Sequence, residues 1–127
     1  MNDLIAEFLR QKRFAVVGSF RDESKYAYKI VKMLIRKGRE VYPVNPRGGT
    51  VEGLICYKNV SAIPAPVDVV SLVTPPAVTE TVLRECHEKK ITRAWLQPGA
   101  ENEEGIRYCR ENGIAVVHGL CVMMEWV

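Results

Sequence analysis

The chain has 127 residues, of which 47% are hydrophobic and 26% charged, with a net charge of +3. This is the size of one domain and an ordinary globular composition, so we expect residues 1–127 to form a single domain. No apolar stretch is long enough to span a membrane, and the charge is too small and scattered to predict nucleic-acid binding. Four cysteines without paired spacing and only two histidines predict no metal site and favour a reducing, cytoplasmic compartment.

Short apolar segments alternate with amphipathic ones along the chain. In chain order the first half predicts a helix that opens at Asn2 or Asp3, a strand over 14–17, a helix over about 25–37, a strand over 40–44 and a short edge strand over 54–57. The second half predicts a strand over 67–73, a helix from Pro75-Pro76, a strand over 92–96, a helix over 101–112 and a strand over 115–117. Such alternation is typical of a parallel sheet. The predicted fold class is therefore α/β, a Rossmann-like doubly wound parallel sheet of five or six strands with helices on both faces.

In such a sheet the carboxyl ends of the strands share one edge, where ligands bind near the point at which the strand order reverses. The predicted strand ends lie at Gly18, Asn45, Thr74 and Gln97. The turns that follow them, GSFRDESK, NPRGG, TPP and QPGAEN, are therefore expected to line one crevice.

The turn after the first strand has the chemistry of a phosphate site. Gly18 is predicted to let a phosphate approach, Ser19 offers a hydroxyl, and the following helix begins with unpaired amides. Arg21 and Lys25 add positive charge. The turn contains neither GxGxxG nor the Walker sequence GxxxxGK[ST]. The close helix–strand contact that a later glycine usually provides is therefore expected from another small residue, Ala27.

The turn after the second strand bears on which nucleotide binds. An NAD site would carry an acid near Asn45 for the ribose hydroxyls, but the first acid after that strand is Glu52. Arg47 would instead pair with a phosphate on the ribose, which leaves NADP and coenzyme A as candidates. The alternative is that Arg47 is an ordinary solvated arginine.

A proline pair follows the strand over 67–73. Pro75 and Pro76 start a helix, and because proline lacks an N–H they also present an apolar wall to the crevice. Such a wall suits the neutral pantetheine arm of coenzyme A better than a charged nicotinamide riboside.

Taken together and in this order, the motifs resemble a known family. The segments AVVGS, KYAYKIVKMLIRKGREVYPVNPR, VDVVSLVTPP, WLQPGAENEEGIRYCRENGIAVV and CVMMEWV are similar to those of stand-alone coenzyme A-binding domains. Those domains are similar to the coenzyme A-binding N-terminal domain of the succinyl-CoA synthetase alpha subunit. The resemblance covers nearly the whole chain and implies a Rossmann-like sheet with coenzyme A or an acyl-CoA at its carboxyl edge.

The resemblance also implies binding residues. These are Gly18, Ser19 and Lys25 at the diphosphate, with Phe20 and Arg21 in the same turn, Asn45, Pro46 and Arg47 at the adenosine end, Thr74, Pro75 and Pro76 along the pantetheine arm, and Gln97 near its far end. Two features depart from the family. Glu23 stands where proline is frequent, and Tyr26-Ala27-Tyr28 stands where glycine often follows the lysine.

Three functions are compatible with these residues. The first is a coenzyme A-binding protein without catalysis, acting as a sensor, a carrier or the partner of an enzyme. The second is a small NADP-binding reductase or sensor, and the third is an interaction module. His118 and Cys121 follow the last strand, where His118 could act as a catalytic base and Cys121 could form a mixed disulfide with the thiol of coenzyme A. We expect no catalytic role for His118, and we expect Cys121 to be a packed core thiol. The C-terminal residues Met123, Met124 and Trp126 would cover their own sheet, form a homodimer or contact a partner.

Overall fold

The structure, a computed structural model, describes residues 2–125. The strands are β1 (Arg13–Val17), β2 (Glu40–Val44), β3 (Thr50–Val51), β4 (Leu54–Ile55), β5 (Val69–Leu72), β6 (Arg93–Leu96) and β7 (Ala115–His118). The helices are α1 (Asn2–Leu9), α2 (Tyr26–Arg36), α3 (Pro76–Glu88), α4 (Glu103–Glu111) and α5 (Val122–Glu125), with a 3₁₀ turn at Val60–Ala62.

Five strands form one parallel sheet in the order β2-β1-β5-β6-β7. If these five strands are numbered 1 to 5 in chain order, their order across the sheet is 2-1-3-4-5. The direction of this order reverses between β1 and β5. This arrangement confirms the predicted Rossmann-like α/β sheet. All five carboxyl ends lie at one edge, and the reversal places the ligand crevice of such folds beside the end of β1.

Helices cover both faces of the sheet, as the alternation of side chains along β1 shows. Phe14 and Val16 pack in the layer formed by α1, α2 and α5, whereas Ala15 and Val17 pack in the layer formed by α3, α4 and the 3₁₀ turn. Residues one apart on a strand point to opposite faces, so the two layers form separate halves of the core. In the first layer Trp95 meets Phe8 edge to face.

Residues 54–57 do not form the predicted edge strand of the parallel sheet. β4 instead pairs antiparallel with β3, because the backbone turns back at Glu52 and Gly53, both with positive φ (50° and 79°). Only Tyr57 reaches the sheet, through one parallel bridge to Val44. Tyr57 therefore stands where a sixth strand would run, and the sheet has five strands.

The helix ends differ slightly from the predictions. The helix predicted over 101–112 begins at Glu103, because the Oδ1 atom of Asn102 accepts a hydrogen bond from the N–H of Gly105 (3.0 Å) and caps it. The short helix α5 was not predicted. Trp126, grouped with the C-terminal methionines above, lies outside the described residues. Within residues 2–125 no helix combines the length and apolar content needed to cross a bilayer.

Candidate ligand-binding site

A pocket of about 500 Å³ lies at the carboxyl ends of β1 and β2. Its lining residues come from the turns after these two strands and from the β3–β4 hairpin: Ser19, Phe20, Arg21, Asn45, Arg47, Gly48, Thr50, Val51 and Cys56. The first five of these belong to the set that the sequence proposed for binding. The structure thus brings the first and second turns together, as their places at neighbouring strand ends require.

Asn45 holds these two turns in place. Its Nδ2 atom donates to the carbonyl oxygen of Gly18 (2.7 Å), and its Oδ1 atom accepts from the N–H of Arg47 (2.9 Å). A carboxylate at position 45 could accept the second bond but could not donate the first. The chain therefore has a structural reason to carry an amide, rather than an acid, at this strand end.

Gly18 packs against the protein on both sides. A Cβ atom at this position would lie 2.6 Å from the Cβ of Ala27 and 3.1 Å from the carbonyl oxygen of Val73. Ala27 is the small residue expected to make the helix–strand contact. The structure thus gives glycine a packing reason, whereas the sequence predicted room for a phosphate, and a role of Gly18 at the diphosphate stays a prediction.

The first turn leaves the start of α2 open. Asp22 accepts a hydrogen bond from the N–H of Ser24 (2.9 Å) and contacts its hydroxyl, and these bonds lower the pKa of the Asp22 carboxyl. Lys25 is the N-cap residue of α2 and gives it no side-chain cap, and the first turn of α2 has no acid. Uncapped amides and the helix dipole together favour an anion at this place.

Positive charge surrounds this anion-favouring end. Arg21 and Arg47 are exposed, and Lys25 is half-buried. None of the ion pairs within residues 2–125 includes any of the three. The Asp22 carboxylate of the same turn interacts electrostatically with Arg21 and Lys25 without forming an ion pair, and the three cations still outnumber this one acid, which favours an anionic ligand.

The β3–β4 hairpin forms a wall of the pocket that the sequence analysis missed. Val51 and Cys56 are buried there. The hydroxyl of Tyr28 donates to the Oε2 atom of Glu52 (2.6 Å), which ties α2 to the hairpin turn and raises the pKa of Tyr28. Two-residue strands have no readable periodicity. The glycines at positions 48, 49 and 53 were the available signal, since all three have positive φ.

The turn after β5 is linked to the turn after β6. The Oγ1 atom of Thr79 donates to the carbonyl oxygen of Ala100 (2.8 Å), so the hydroxyl of Thr74 donates to Thr79 (2.8 Å). Thr74 is buried, whereas Pro75 and Pro76 are exposed beside it. The predicted proline wall thus lies at the surface, with its threonine turned to the interior.

Gln97 is fully buried at the end of β6, with 0% of its surface exposed. Its Nε2 atom donates to the Oγ atom of Ser71 (3.0 Å), and its Oε1 atom accepts from the N–H of Val122 (3.0 Å) and, at 3.5 Å, from the hydroxyl of Tyr26. Both ends of the amide are therefore used inside the protein. That Gln97 lies near the far end of a ligand stays a prediction.

Residues 119–125, which we call the closing segment, are bonded to side chains of this same edge. The indole N–H of Trp95 donates to the carbonyl oxygen of Leu120 (2.9 Å), and the N–H of Gly119 donates to Glu101 (3.2 Å). Partial burial opposes ionisation of Glu101, but bonds from backbone N–H groups outweigh it and hold its pKa below the ordinary value. With the Gln97 bond, these contacts attach the closing segment to the end of β6.

Neither His118 nor Cys121 lines the cationic pocket. His118 lines a shallow pocket of about 380 Å³ beside α4. Cys121 is half-buried in the closing segment, where its Sγ atom contacts the hydroxyl of Tyr26. Burial, with this contact, raises the pKa of the Tyr26 hydroxyl far above its ordinary value.

The doubly wound parallel sheet, with a cationic pocket at the ends of β1 and β2, belongs to the class of α/β folds that bind ligands at the carboxyl edge of the sheet. Comparison with known protein families identifies the family within this fold class. Residues 12–127 match the model of the CoA binding domain, and the chain belongs to that family.

Relatives include enzymes and small proteins. The chain is 32% identical over 91% of its length to the alpha subunit of the ADP-forming acetate–CoA ligase II of Pyrococcus furiosus, of which it spans 28%. It is 29% identical over 89% of its length to the uncharacterized protein YneT of Bacillus subtilis, of which it spans 84%. The chain thus spans well under half of the ligase subunit and most of the small relative.

Similar solved structures also include both small proteins and longer enzymes. A hypothetical protein from Pyrococcus horikoshii OT3 matches with a TM-score of 0.92 and 31% identity, covering 98% of this chain and 87% of its own. The dinucleotide-forming acetyl-coenzyme A synthetase 1 of Ca. Korarchaeum cryptofilum matches with a TM-score of 0.78 and 32% identity, covering 91% of this chain and 27% of its own. The same fold therefore occurs in a small protein and as a minor part of a synthetase.

Proposed function

We propose that this protein binds coenzyme A or an acyl-CoA as a single domain of residues 1–127, and that it does so without catalysis. The observation that carries the proposal is the pocket of about 500 Å³ beside the uncapped start of α2, with Arg21 and Arg47 at its wall and no paired carboxylate. The diphosphate would lie at the start of α2 and the adenosine end in the pocket. Membership of the CoA binding domain family supports this ligand.

Arg47 is our candidate for the phosphate on the ribose of coenzyme A. It is exposed at the pocket wall, and its backbone N–H is fixed by Asn45, which holds the turn while leaving the guanidinium unpaired by any carboxylate of residues 2–125. A guanidinium can bind such a phosphate through two charge-assisted bonds. The alternative ligand, NADP, finds no support among the relatives, and the ligases among them are named for coenzyme A.

We place the chemistry of any bound thioester outside this chain. The ligases that the chain resembles are much longer, since the chain spans 28% of one and 14% of another. A role as carrier, sensor or partner of such an enzyme follows. The four cysteines are all free, which fits the cytoplasm, where thiols stay reduced.

Calorimetry and thermal unfolding with coenzyme A, dephospho-coenzyme A and NADPH test the proposal. Coenzyme A should bind and raise the unfolding temperature, because a ligand that binds only the folded state stabilises it. Arg47→Ala should weaken coenzyme A by roughly tenfold, about 1.4 kcal/mol, and leave dephospho-coenzyme A unchanged.

Arg36→Ala is the matched control, because Arg36 is an exposed arginine at the other end of α2. It should alter neither ligand. Absence of coenzyme A binding at millimolar concentration, or binding of NADPH in its place, would contradict the proposal.

A further inference from the structure

The parallel sheet ends at β7, and the outer side of this strand is open. The N–H of Ala115 donates to the carbonyl oxygen of Thr92 (2.8 Å), so this residue faces β6. Because alternate residues of a strand face the same neighbour, Val116 and His118 direct their N–H and C=O groups away from the sheet. Within the described residues, the structure gives these two N–H groups no hydrogen-bond partner. The edge of β7 can therefore pair with one more strand.

The residues of β7 do not protect this edge against pairing. Its sequence is Ala-Val-Val-His, without the proline, lysine or acidic residue that commonly keeps a second strand away from an edge. Valine also favours strand pairing. The strand at the opposite margin of the sheet, β2, is bridged by Tyr57. The two margins therefore differ, and β7 is the one that is free to pair.

Helix α4 presents a charged face beside the open edge. The shallow pocket beside α4 is lined by His118 and by one face of the helix, with the spacing i, i+3, i+4, i+7: Glu103, Ile106, Arg107 and Arg110. Glu103 and Arg110 are exposed and form no ion pair within residues 2–125, whereas Arg107 is paired with Glu104 (3.2 Å). This face thus has an unpaired acid at one end and an unpaired base at the other.

α4 and β7 run in opposite directions. The end of α4 lies at the start of β7, where the N–H of Ile114 donates to a carbonyl oxygen of the last helical turn (2.9 Å). The start of α4 lies at the end of β7, where the N–H of Gly119 donates to Glu101 (3.2 Å). Glu103 is therefore nearer the carboxyl end of β7 and Arg110 nearer its amino end. A second copy rotated by half a turn would bring its own Arg110 to this Glu103.

We propose that two copies of this protein pair through β7 in antiparallel orientation, around a two-fold axis at Val117. Val116 of each copy then lies opposite His118 of the other, and each such pair exchanges both N–H···O=C hydrogen bonds. The two α4 helices lie side by side, with Glu103 of each copy beside Arg110 of the other. The two five-stranded sheets become one continuous sheet, joined by a self-complementary surface.

This pairing leaves the two cationic pockets independent of each other. The pocket lies at the ends of β1 and β2, and β5 and β6 separate these strands from β7. In an antiparallel pair the carboxyl edges of the two sheets point to opposite ends, so neither copy adds a residue to the pocket of the other. Pairing and coenzyme A binding can therefore fail separately, and the tests below need no ligand.

Sedimentation equilibrium of the whole chain measures the pairing. At about 100 μM protein we expect a mass close to twice the 14.4 kDa of one chain, because a dissociation constant of about 10 μM leaves most chains paired at that concentration. The mass of a single chain at this concentration would overturn the proposal, and would leave the open edge to a strand from a different protein.

Charge reversal at the two ends of α4 tests the orientation of the pair. Glu103→Arg and Arg110→Glu should each weaken the dimer by about tenfold at low salt, because two attractions become two repulsions. When the two variants are mixed in equal amounts, every contact between copies joins opposite charges. The mixture should therefore pair within about threefold of the parent affinity. Failure of the mixture to pair better than either variant would overturn the proposal.

Two variants that change the net charge equally are the matched controls. Glu88→Arg lies at the end of α3 and Arg36→Glu at the end of α2, and both parent side chains are exposed without an ion pair in the part of the chain that the structure describes. Both should pair as the parent does. Weakening as large as that of the α4 variants would show an effect of net charge alone and overturn the proposal.

Amide hydrogen exchange identifies the strand that pairs. The N–H groups of Ala115 and Val117 face β6 in single and paired chains, whereas those of Val116 and His118 are bonded only in the pair. Between about 10 μM and about 1 mM protein, exchange at the second two positions should slow by about fivefold, and exchange at the first two should change little. A dimer in which Val116 and His118 exchange equally at both concentrations would use another surface and overturn the proposal.

Discussion

The carboxyl edge of the sheet has two halves that use their polar groups differently. Around the ends of β1 and β2, Arg21 and Arg47 form no ion pair within residues 2–125, and α2 starts without a side-chain cap. Around the ends of β5 and β6, Thr74 and Gln97 hydrogen-bond within the protein. The first half is open to a ligand, while the second is satisfied internally.

The difference teaches that a polar residue at a strand end is not by itself a ligand residue. Asn45 and Gln97 are both amides at strand ends, and both use the two ends of the amide inside the protein. Asn45 shapes an open pocket through these bonds, whereas Gln97 fastens the closing segment. The two halves differ in what lies beside each amide. Arginines that form no ion pair lie near Asn45, whereas the closing segment covers Gln97.

Gln97→Leu, in the half around β5 and β6, should give the largest loss of unfolding free energy among the variants proposed here. Leucine keeps the volume but leaves the N–H of Val122 and the hydroxyl of Ser71 without their partner, which should lower the free energy of unfolding by about 3 kcal/mol. Urea unfolding measures this. Gln11→Leu, which removes one local bond to the carbonyl oxygen of Glu7, should cost about 1 kcal/mol or less.

The same variant tests whether the halves are independent. Adenosine 3′,5′-bisphosphate should bind Gln97→Leu and the parent protein equally, as measured by calorimetry under conditions where both are folded. A weakened affinity would show that the closing segment contributes to the pocket and would remove the distinction between the halves.

Gly18→Ala acts where the halves meet, and its expected effect is smaller. The added methyl would lie 2.6 Å from the Cβ of Ala27, so it should cost about 2 kcal/mol of unfolding free energy. In the double variant Gly18→Ala/Ala27→Gly the clash is relieved. Its loss of unfolding free energy should therefore be smaller than the sum of the losses of the two single variants. Additive losses in urea unfolding would mean that Ala27 is not the residue that requires glycine at position 18.

Glu101→Gln gives the smallest effect and concerns only the second half. The pKa of Glu101 is lowered in the folded protein, so its charge stabilises the fold above the pKa of the unfolded chain, and this contribution is lost as the pH falls through the lower folded value. Because the group is only partly buried and screened by solvent, we expect less than about 1 kcal/mol. Urea unfolding between about pH 7 and pH 3 should show a flatter pH dependence in the variant. Identical slopes would contradict the pKa shift.

The sheet and its edge could be predicted because they rest on local patterns. The valine-rich segment at β5 and the glycine-ended segment at β1 predict buried parallel strands. Once these strands are assigned, the positions of their carboxyl ends are known as well. The contact of Ala27 with the end of β1 was also foreseen, since a helix can approach a strand closely only through small residues.

The hairpin and the closing segment could not be predicted for two different reasons. β3 and β4 have two residues each, too few for any alternation to be read. The closing segment depends on long-range bonds, such as that from the N–H of Val122 to Gln97, which no local sequence pattern records.

Pro43 has a consequence for how molecules of this protein behave toward one another. Its carbonyl oxygen accepts from the N–H of Tyr57, so residue 43 faces the outer margin of β2, where a proline nitrogen has no hydrogen to offer. The next outward donor, the N–H of Asn45, is already bonded to Tyr57. A strand from another copy would find no free donor at positions 43 and 45 of β2, which disfavours pairing between two copies through this edge of the sheet.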